Sequence, residues 1–235
     1  FEADIVEAFD WLGFDYDEFY RQSERTEIYK EHIQKLIDNG FAYISNEEAV
    51  EEGKRSSVIR FKNPNKVVKF TDVLLGDIEV DTTDLGDFVI AKDSENPLFH
   101  LTVVLDDGLM GVSHVIRGQD HISNTPRQIL ILEALGFERP VYAHIPLILA
   151  PDKTKLSKRH GALATLEYRD LGYFKEAMIN FMALIGWNPG DEREIFSKGD
   201  LIKEFKLEKV QKGGGVFNIE KLNWFNKQYL LKKPK

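Results

Sequence analysis

Val141-Tyr142-Ala143-His144-Ile145-Pro146-Leu147-Ile148-Leu149 and, after Ala150, Pro151-Asp152-Lys153-Thr154-Lys155-Leu156-Ser157-Lys158-Arg159-His160-Gly161-Ala162 form the most informative stretch of this 235-residue chain. The first part is an apolar run with one His and one Pro, and its length suits a buried strand better than a helix. The second sets Lys153, Lys155, Lys158, Arg159 and His160 within one loop. Lysines act as mobile point charges on phosphate oxygens, a serine hydroxyl and backbone amides add hydrogen bonds, and a glycine permits close approach, so such a loop can wrap polyphosphate. On composition alone an exposed charged loop is the commoner reading. Only the order of the residues changes that.

Working outward, Ser123-Asn124-Thr125-Pro126 opens a helix, with Thr125 as N-cap and Pro126 at the first helical position, that closes at Gly136. Strand, helix and strand make an α/β unit. Segments 98–105 and 109–116 flank Asp106-Asp107-Gly108, and the aspartate-glycine pair predicts a β-hairpin there. Short β-rich runs at 58–62, 67–71, 78–80 and 88–92, separated by Gly, Pro, Asn and Asp turns, predict a compact inserted β-rich module. Upstream, Ile5, Val6, Phe9 and Leu12 mark a helix closed by Gly13, and a second helix runs from Ser23 as N-cap to Asn39-Gly40. A strand follows at 41–44, then a Ser45/Glu48 capping box for a short helix ending by Gly53. Beyond the loop the chain turns helical at 173–185 and 198–205. Three glycines, 213–215, precede a last amphipathic segment with Trp224 and Phe225.

With 43% hydrophobic and 30% charged residues, the chain can bury a substantial core. Its net charge of -8 excludes a protein coated in basic surface, though local basic patches can still bind nucleic acid. Cysteine is absent, so no disulfide framework and no thiolate zinc site exists, and no zinc is expected. No apolar run reaches the roughly 18 residues of a membrane span. The acidic amphipathic N-terminus is unlike a basic signal peptide. These features predict a cytoplasmic protein with no membrane partner.

Lys155-Leu156-Ser157-Lys158-Arg159, leading into His160-Gly161-Ala162, resembles the KMSKS-type signature of class I aminoacyl-tRNA synthetases in the form typical of bacterial glutamyl enzymes. RGQDHISNTPRQ (117–128), AHIPLIL (143–149), YRQSER (20–25), IRFK (59–62), DFVI (87–90) and VVLDD (103–107) also fall in family order and spacing. The resemblance implies an α/β fold. Residues 1–29 and 99–150 would be part of a Rossmann-type nucleotide-binding domain, 30–98 an inserted α+β domain binding the tRNA acceptor end, and 151–235 the signature loop with a mostly helical stem-contact domain.

It also implies the chemistry of a glutamate–tRNA ligase: glutamate attacks the α-phosphate of ATP with Mg²⁺ assistance, and the acyl-adenylate passes to the terminal adenosine of tRNA. Positioning and charge neutralisation would carry that catalysis. By the same resemblance Lys155, Ser157 and Lys158 are the catalytic residues of the signature, with Leu156 and Arg159 completing it, and Lys155, Lys158 and His121 bind ATP. Arg117 reads the side-chain carboxylate of L-glutamate, as suits a planar donor. Phe99 and Val103 lie beside it; the family commonly has a tyrosine at the first position, so a hydroxyl contact is missing there. Asp120 and His121 have an alternative role in capping the following helix, and His100 reads as an ordinary strand histidine.

Lys54, Arg55, Arg60 and Lys62, with Lys66 and Lys69, would meet tRNA phosphates. The implied partners are tRNA(Glu) and, for a non-discriminating enzyme, tRNA(Gln), with a monomeric protein. No segment matches the family's HIGH-type motif or its anticodon-binding domain, so these residues alone are expected to form a catalytically inactive fragment. A different class of reading is a non-catalytic module that binds the tRNA acceptor stem.

Overall fold

Helix α1 (Glu2–Leu12) ends at Gly13, whose φ of 69° is the left-handed conformation expected of a glycine cap. Helix α2 (Thr26–Asp38) buries Tyr29, Ile33 and Leu36, one stripe at helical spacing, and is followed by Gly40 at φ 74°. Its N-cap is Arg25, while Ser23 sits in a preceding 3-10 turn, Gln22–Glu24. The computed structural model describes residues 1–47, 57–160 and 163–233, and of Lys158 the backbone alone. These fall into two compact units, Phe19–His144 on one side and Phe1–Glu18 with Ile145–Lys235 on the other.

In the unit Phe19–His144, strands β1 (Ala42–Asn46), β2 (Ser57–Phe61) and β5 (Phe88–Ala91) form an antiparallel sheet in the order β1-β2-β5. Strands β3 (Val67–Asp72) and β4 (Gly76–Asp81) pair antiparallel, but β3 also runs parallel to β7 (Val141–Ile145). The resulting four-stranded sheet has the order β4-β3-β7-β6, with β6 at His114–Gly118. The β-rich segment anticipated as one module thus splits: its middle hairpin belongs to the sheet that carries the informative strand. Ser45 lies inside β1 and donates to Glu47. Glu48 and the short helix anticipated after it lie outside the described residues.

The hairpin anticipated around Asp106-Asp107-Gly108 does not form. Those residues lie inside helix α3 (Phe99–Leu109), whose buried face is Leu101, Thr102, Val104 and Leu105. That one-three-four spacing is helical, and tertiary burial outweighs the local turn signal. Gly108 serves packing: a Cβ there would stand 2.6 Å from the ring of Phe137. Asp106 accepts hydrogen bonds from Arg25 Nε at 2.8 Å and Tyr29 OH at 2.7 Å, tying α3 to α2. Phe99, His100 and Val103 are accordingly helical residues. Helix α4 (Thr125–Leu135) has Pro126 in its first turn and closes at Gly136, φ 73°; its N-cap is Asn124, one residue before the expected Thr125. The core beneath these elements includes Ile33, Phe61, Ile90, Leu101, Ile129 and Tyr142.

The other unit is helical: α5 (Thr165–Asp170), α6 (Lys175–Gly186), α7 (Lys198–Glu204) and α8 (Ile219–Leu231) join α1. Met178, Phe181, Leu222 and Phe225 form its centre. Two of the three glycines at 213–215 are there for close approach. Leu149 N donates to Gly215 O at 2.9 Å and Phe217 N to Leu149 O at 2.8 Å. A Cβ on Gly214 would lie 2.7 Å from Leu147 O, and one on Gly215 2.0 Å from Ile185 O. No helix among the described residues is long and apolar enough to cross a membrane.

Candidate active-site residues

The cationic loop is a small, tightly bonded hairpin. Leu149 bridges Lys155, Ala150 N donates to Thr154 O at 2.8 Å, Lys153 N to Ala150 O at 2.8 Å, and Leu156 N to Ile148 O at 3.0 Å. Lys153 takes a left-handed φ of 65° at the tip. Asp152 Oδ1 accepts from both Thr154 N at 3.0 Å and Thr154 Oγ1 at 2.7 Å, and these bonds, the hydroxyl's first, hold its carboxyl below the usual carboxylate range. Ser157 Oγ lies 3.0 Å from His160 Nδ1, and His160 N donates to Ser157 O at 2.9 Å.

Lys153, Lys155 and Arg159 are exposed on this frame, whereas Leu156 is half-buried. Leu156 lines an apolar cavity of about 760 Å³ together with Ile148, Leu163, Ile179, Met182 and Phe205. One apolar side chain thus anchors a loop on which Lys153, Lys155 and Arg159 are exposed. That arrangement offers ammonium and guanidinium groups to a polyanion without burying them.

Arg117, in the other unit, has very different surroundings. It is the penultimate residue of strand β6, and its guanidinium donates from Nε to His144 Nε2 at 3.2 Å and from Nη2 to Thr125 Oγ1 at 2.8 Å and Gln128 Oε1 at 2.7 Å. All three acceptors are neutral groups, and Nη1 has no partner among the described residues. Burial pulls the Arg117 pKa down, opposed by Tyr142 and Asp107. Burial likewise pushes the Asp107 carboxyl up, with Arg117 working against it and Asp106 adding to it. A half-buried cation with one nitrogen unbonded and no ion-pair partner among the described residues is suited to receive a carboxylate from outside.

Phe99 opens α3 with its ring 49% exposed and 5.8 Å from the ring of His121, which lies in the 3-10 turn Gln119–Asn124 that Arg117 leads into. Val103, one helical turn after Phe99, packs against the core. His121 Nδ1 lies 3.1 Å from Asn124 Nδ2, within the same turn. Of the basic positions expected to meet phosphates, Lys62 is exposed, but Arg60 is bound to Glu47 at 2.9 Å, Lys66 to Glu133 at 2.6 Å and Lys69 to Glu79 at 2.8 Å. Lys54 and Arg55 lie outside the described residues.

Asp72, His144 and Gln128 carry no site role in the sequence reading, yet His144 and Gln128 bind Arg117, and Asp72 in turn holds His144. A histidine inside an apolar strand was the available signal for His144. Nothing local marked Asp72, whose neighbour in space is 72 residues away.

The description "tRNA synthetases class I (E and Q), catalytic domain" matches residues 1–56 and 44–224. The chain is 46% identical over 265 aligned residues to the glutamate–tRNA ligase of Aquifex aeolicus, covering 98% of this chain and 56% of that protein. It is 41% identical over 272 residues to the glutamate–tRNA ligase of a Sulfurihydrogenibium species, covering 98% and 57%. Among solved structures, the glutamate tRNA ligase of Elizabethkingia meningosepticum in complex with its amino acid superposes with a TM-score of 0.88 at 31% identity, covering 99% of this chain and 60% of that one. The glutamate-tRNA synthetase of Elizabethkingia anophelis gives a TM-score of 0.89 at 32% identity, covering 99% and 61%. The chain therefore spans less than two thirds of the length of these relatives. The aligned lengths of 265 and 272 exceed the 235 residues of this chain, so both curated relatives carry residues inside the matched region that it lacks. With its mixed α/β sheets and its signature loop, the chain belongs to the class I tRNA synthetases, as part of the catalytic domain of the branch that handles glutamate and glutamine.

Proposed function

We propose that this chain is the nucleotide- and acceptor-handling part of a glutamate–tRNA ligase, acting in the cytoplasm as a monomer on L-glutamate, ATP and tRNA(Glu). The observation that carries the reading is Arg117: a half-buried guanidinium fixed by neutral acceptors with Nη1 left over, which suits the side-chain carboxylate of glutamate. Phe99 contributes an apolar wall, and no hydroxyl stands at that position. Lys155, Lys158 and Arg159 neutralise the polyphosphate of ATP, with Leu156 and Ser157 organising the loop and His121 lying towards the nucleotide. Binding charge on a preorganised frame lowers the barrier where negative charge builds on the phosphates.

Mg²⁺ enters with the nucleotide and would supply further neutralisation of the phosphates. Among the described residues no group of three His, Cys, Asp or Glu side chains is placed to hold a metal of its own. Lys62, with Lys54 and Arg55, would touch acceptor-end phosphates, positioning the tRNA without reading its sequence. Charging of both tRNA(Glu) and tRNA(Gln) would make the enzyme non-discriminating.

The test is tRNA charging with radiolabelled glutamate, ATP and Mg²⁺, run on the 235-residue chain and on a version extended to the length of its relatives, each with Arg117→Ala and Lys158→Ala. Charging by the extended protein that both substitutions abolish is the expected result. An extended protein that binds tRNA but never charges it would replace this reading with that of an acceptor-stem-binding module.

A further inference from the structure

Asp72, at the end of β3, is 1% exposed, and both its oxygens are fully engaged. Oδ1 accepts from Leu74 N and Leu75 N, each at 3.0 Å, in the turn between β3 and β4. Oδ2 accepts from His144 N at 2.9 Å and faces His144 Nδ1 at 2.7 Å. His144 is wholly buried in β7. Its other nitrogen, Nε2, lies 3.2 Å from Arg117 Nε and 3.1 Å from Thr125 Oγ1. A guanidinium has only donors. Nε2 is therefore the acceptor, the ring is neutral, and Nδ1 carries the proton towards Asp72.

We infer that Asp72 and His144 are positioning residues for Arg117: the backbone-locked carboxylate fixes the ring and its tautomer, and the ring fixes the guanidinium so that Nη1 alone is left for the substrate carboxylate. The inference rests on the proposed role of Arg117. It also alters how that role is exercised. With Nε and Nη2 occupied by His144, Thr125 and Gln128, the carboxylate is taken through Nη1 and not by the Nε/Nη2 side of the fork. A proton on Nε2 would turn the acceptor into a donor facing a cation, and the guanidinium would lose its anchor.

The groups facing the ring are Asp72 from β3, Arg117 from β6 and His121 from the turn before α4; Asp107 of α3 and Tyr142 of β7 face Arg117. Burial holds His144 below the ordinary histidine range, with Arg117 and His121 adding to that and Asp72 opposing it, so the neutral ring persists at neutral pH.

The experiment is calorimetric titration of L-glutamate into the protein extended to the length of its relatives, for the wild type, His144→Gln, His144→Asn and Arg117→Ala, between about pH 5.5 and 7.5, above the range where the carboxyl groups of glutamate titrate. Gln sets a carbonyl oxygen where Nε2 stood and can still accept from Arg117. Asn keeps a donor towards Asp72 but has nothing to offer Arg117. We expect His144→Gln to bind glutamate about 10-fold more tightly than His144→Asn, as for one hydrogen bond to a charged group. The weakening of binding that sets in as the native His144 ring takes up a proton should be present in the wild type and absent from His144→Gln.

Equal affinities for the two variants, with Arg117→Ala unable to bind, would overturn the positioning role and leave the Arg117 reading intact. Wild-type affinity in Arg117→Ala would overturn both. Should the variants not fold, the ¹⁵N resonances of the His144 ring in the wild type decide: a protonated Nε2 at neutral pH overturns the inference, and a protonated Nδ1 supports it.

Discussion

Arg117 Nε stands 3.2 Å from His144 Nε2, and that one contact fixes the protonation state of a histidine with no exposed surface. The guanidinium can only donate, so the ring accepts and stays neutral. The chain's stability then depends on pH with a definite sign. Burial keeps the native ring below its ordinary pKa of 6.5, so as pH falls the unfolded chain takes up its proton first and stability declines. The decline begins near pH 6.5 and ends once the native ring is protonated as well. Asp72 adds a second loss at lower pH. Burial works against its ionised form, but the His144 ring and the amides of Leu75, Leu74 and His144 hold it below its ordinary 3.8. Its contribution is present above that value and disappears as pH falls through the native one. The urea midpoint should fall steadily from about pH 6.5 downward, less so in His144→Gln. A flat midpoint down to about pH 5 would contradict the assigned ring state.

Asp106, half-buried, is a second carboxylate with a predictable signature. It holds Arg25 and Tyr29 with side chains only 12% and 20% exposed in the Arg25–Asp106 pair, and Tyr29 is pushed up to about 12 by burial first and then by the Asp106 hydrogen bond. Asp106→Asn removes the charge while keeping the shape. Stability should drop by about 1.5–3 kcal/mol, the range for a hydrogen bond to a charged group. The Tyr29 phenol should titrate lower than in the wild type yet above its ordinary 10.0, because burial persists. Alkaline absorbance titration against Tyr29→Phe measures both. An unchanged phenol would mean that Asp106 does not face it in solution.

Asp106 also shows where the sequence was legible and where it was not. Helices α1, α2, α4 and α6 were visible because apolar spacing and glycine stops agreed. At Asp106-Asp107-Gly108 the two signals conflicted. The local turn pair pointed to a hairpin, while Leu101, Val104 and Leu105 pointed to a helix, and burial decided for the helix. The cationic loop was readable because its chemistry is contiguous. The Asp72–His144–Arg117 chain was not, because its members come from three strands and its logic lies in hydrogen-bond direction, which no local pattern records.

The glycine triplet 213–215 gives a graded test of close packing. A Cβ at Gly213 meets nothing within 4 Å, whereas at Gly215 it would stand 2.0 Å from the carbonyl oxygen of Ile185. Backbone oxygen cannot swing aside as a flexible side chain can. Gly215→Ala should therefore cost about 3 kcal/mol or more, at the upper end for overpacking, while Gly213→Ala should stay within about 0.5 kcal/mol. Denaturant midpoints measure both. Equal effects at the two positions would show that the 149–217 strand contact opens readily in solution.

Leu156 is the residue on which anchoring of the cationic loop can be separated from its charge. Its amide is already committed to Ile148 O at 3.0 Å, so the hairpin itself survives a change of side chain. Leu156 lines the apolar cavity shared with Ile179, Met182 and Phe205. Leu156→Ser leaves Lys155, Lys158 and Arg159 in place but removes the apolar foothold that orients them. Because Leu156 is only half-buried, the loss of stability should be modest, about 1 kcal/mol. The loss of orientation acts on the reacting geometry and should be larger, lowering kcat for tRNA charging by the protein extended to the length of its relatives about 10-fold or more while the KM for glutamate holds. Wild-type kcat in Leu156→Ser would mean that the backbone hydrogen bonds suffice to place the cations, and that the cavity beneath the loop has no part in catalysis.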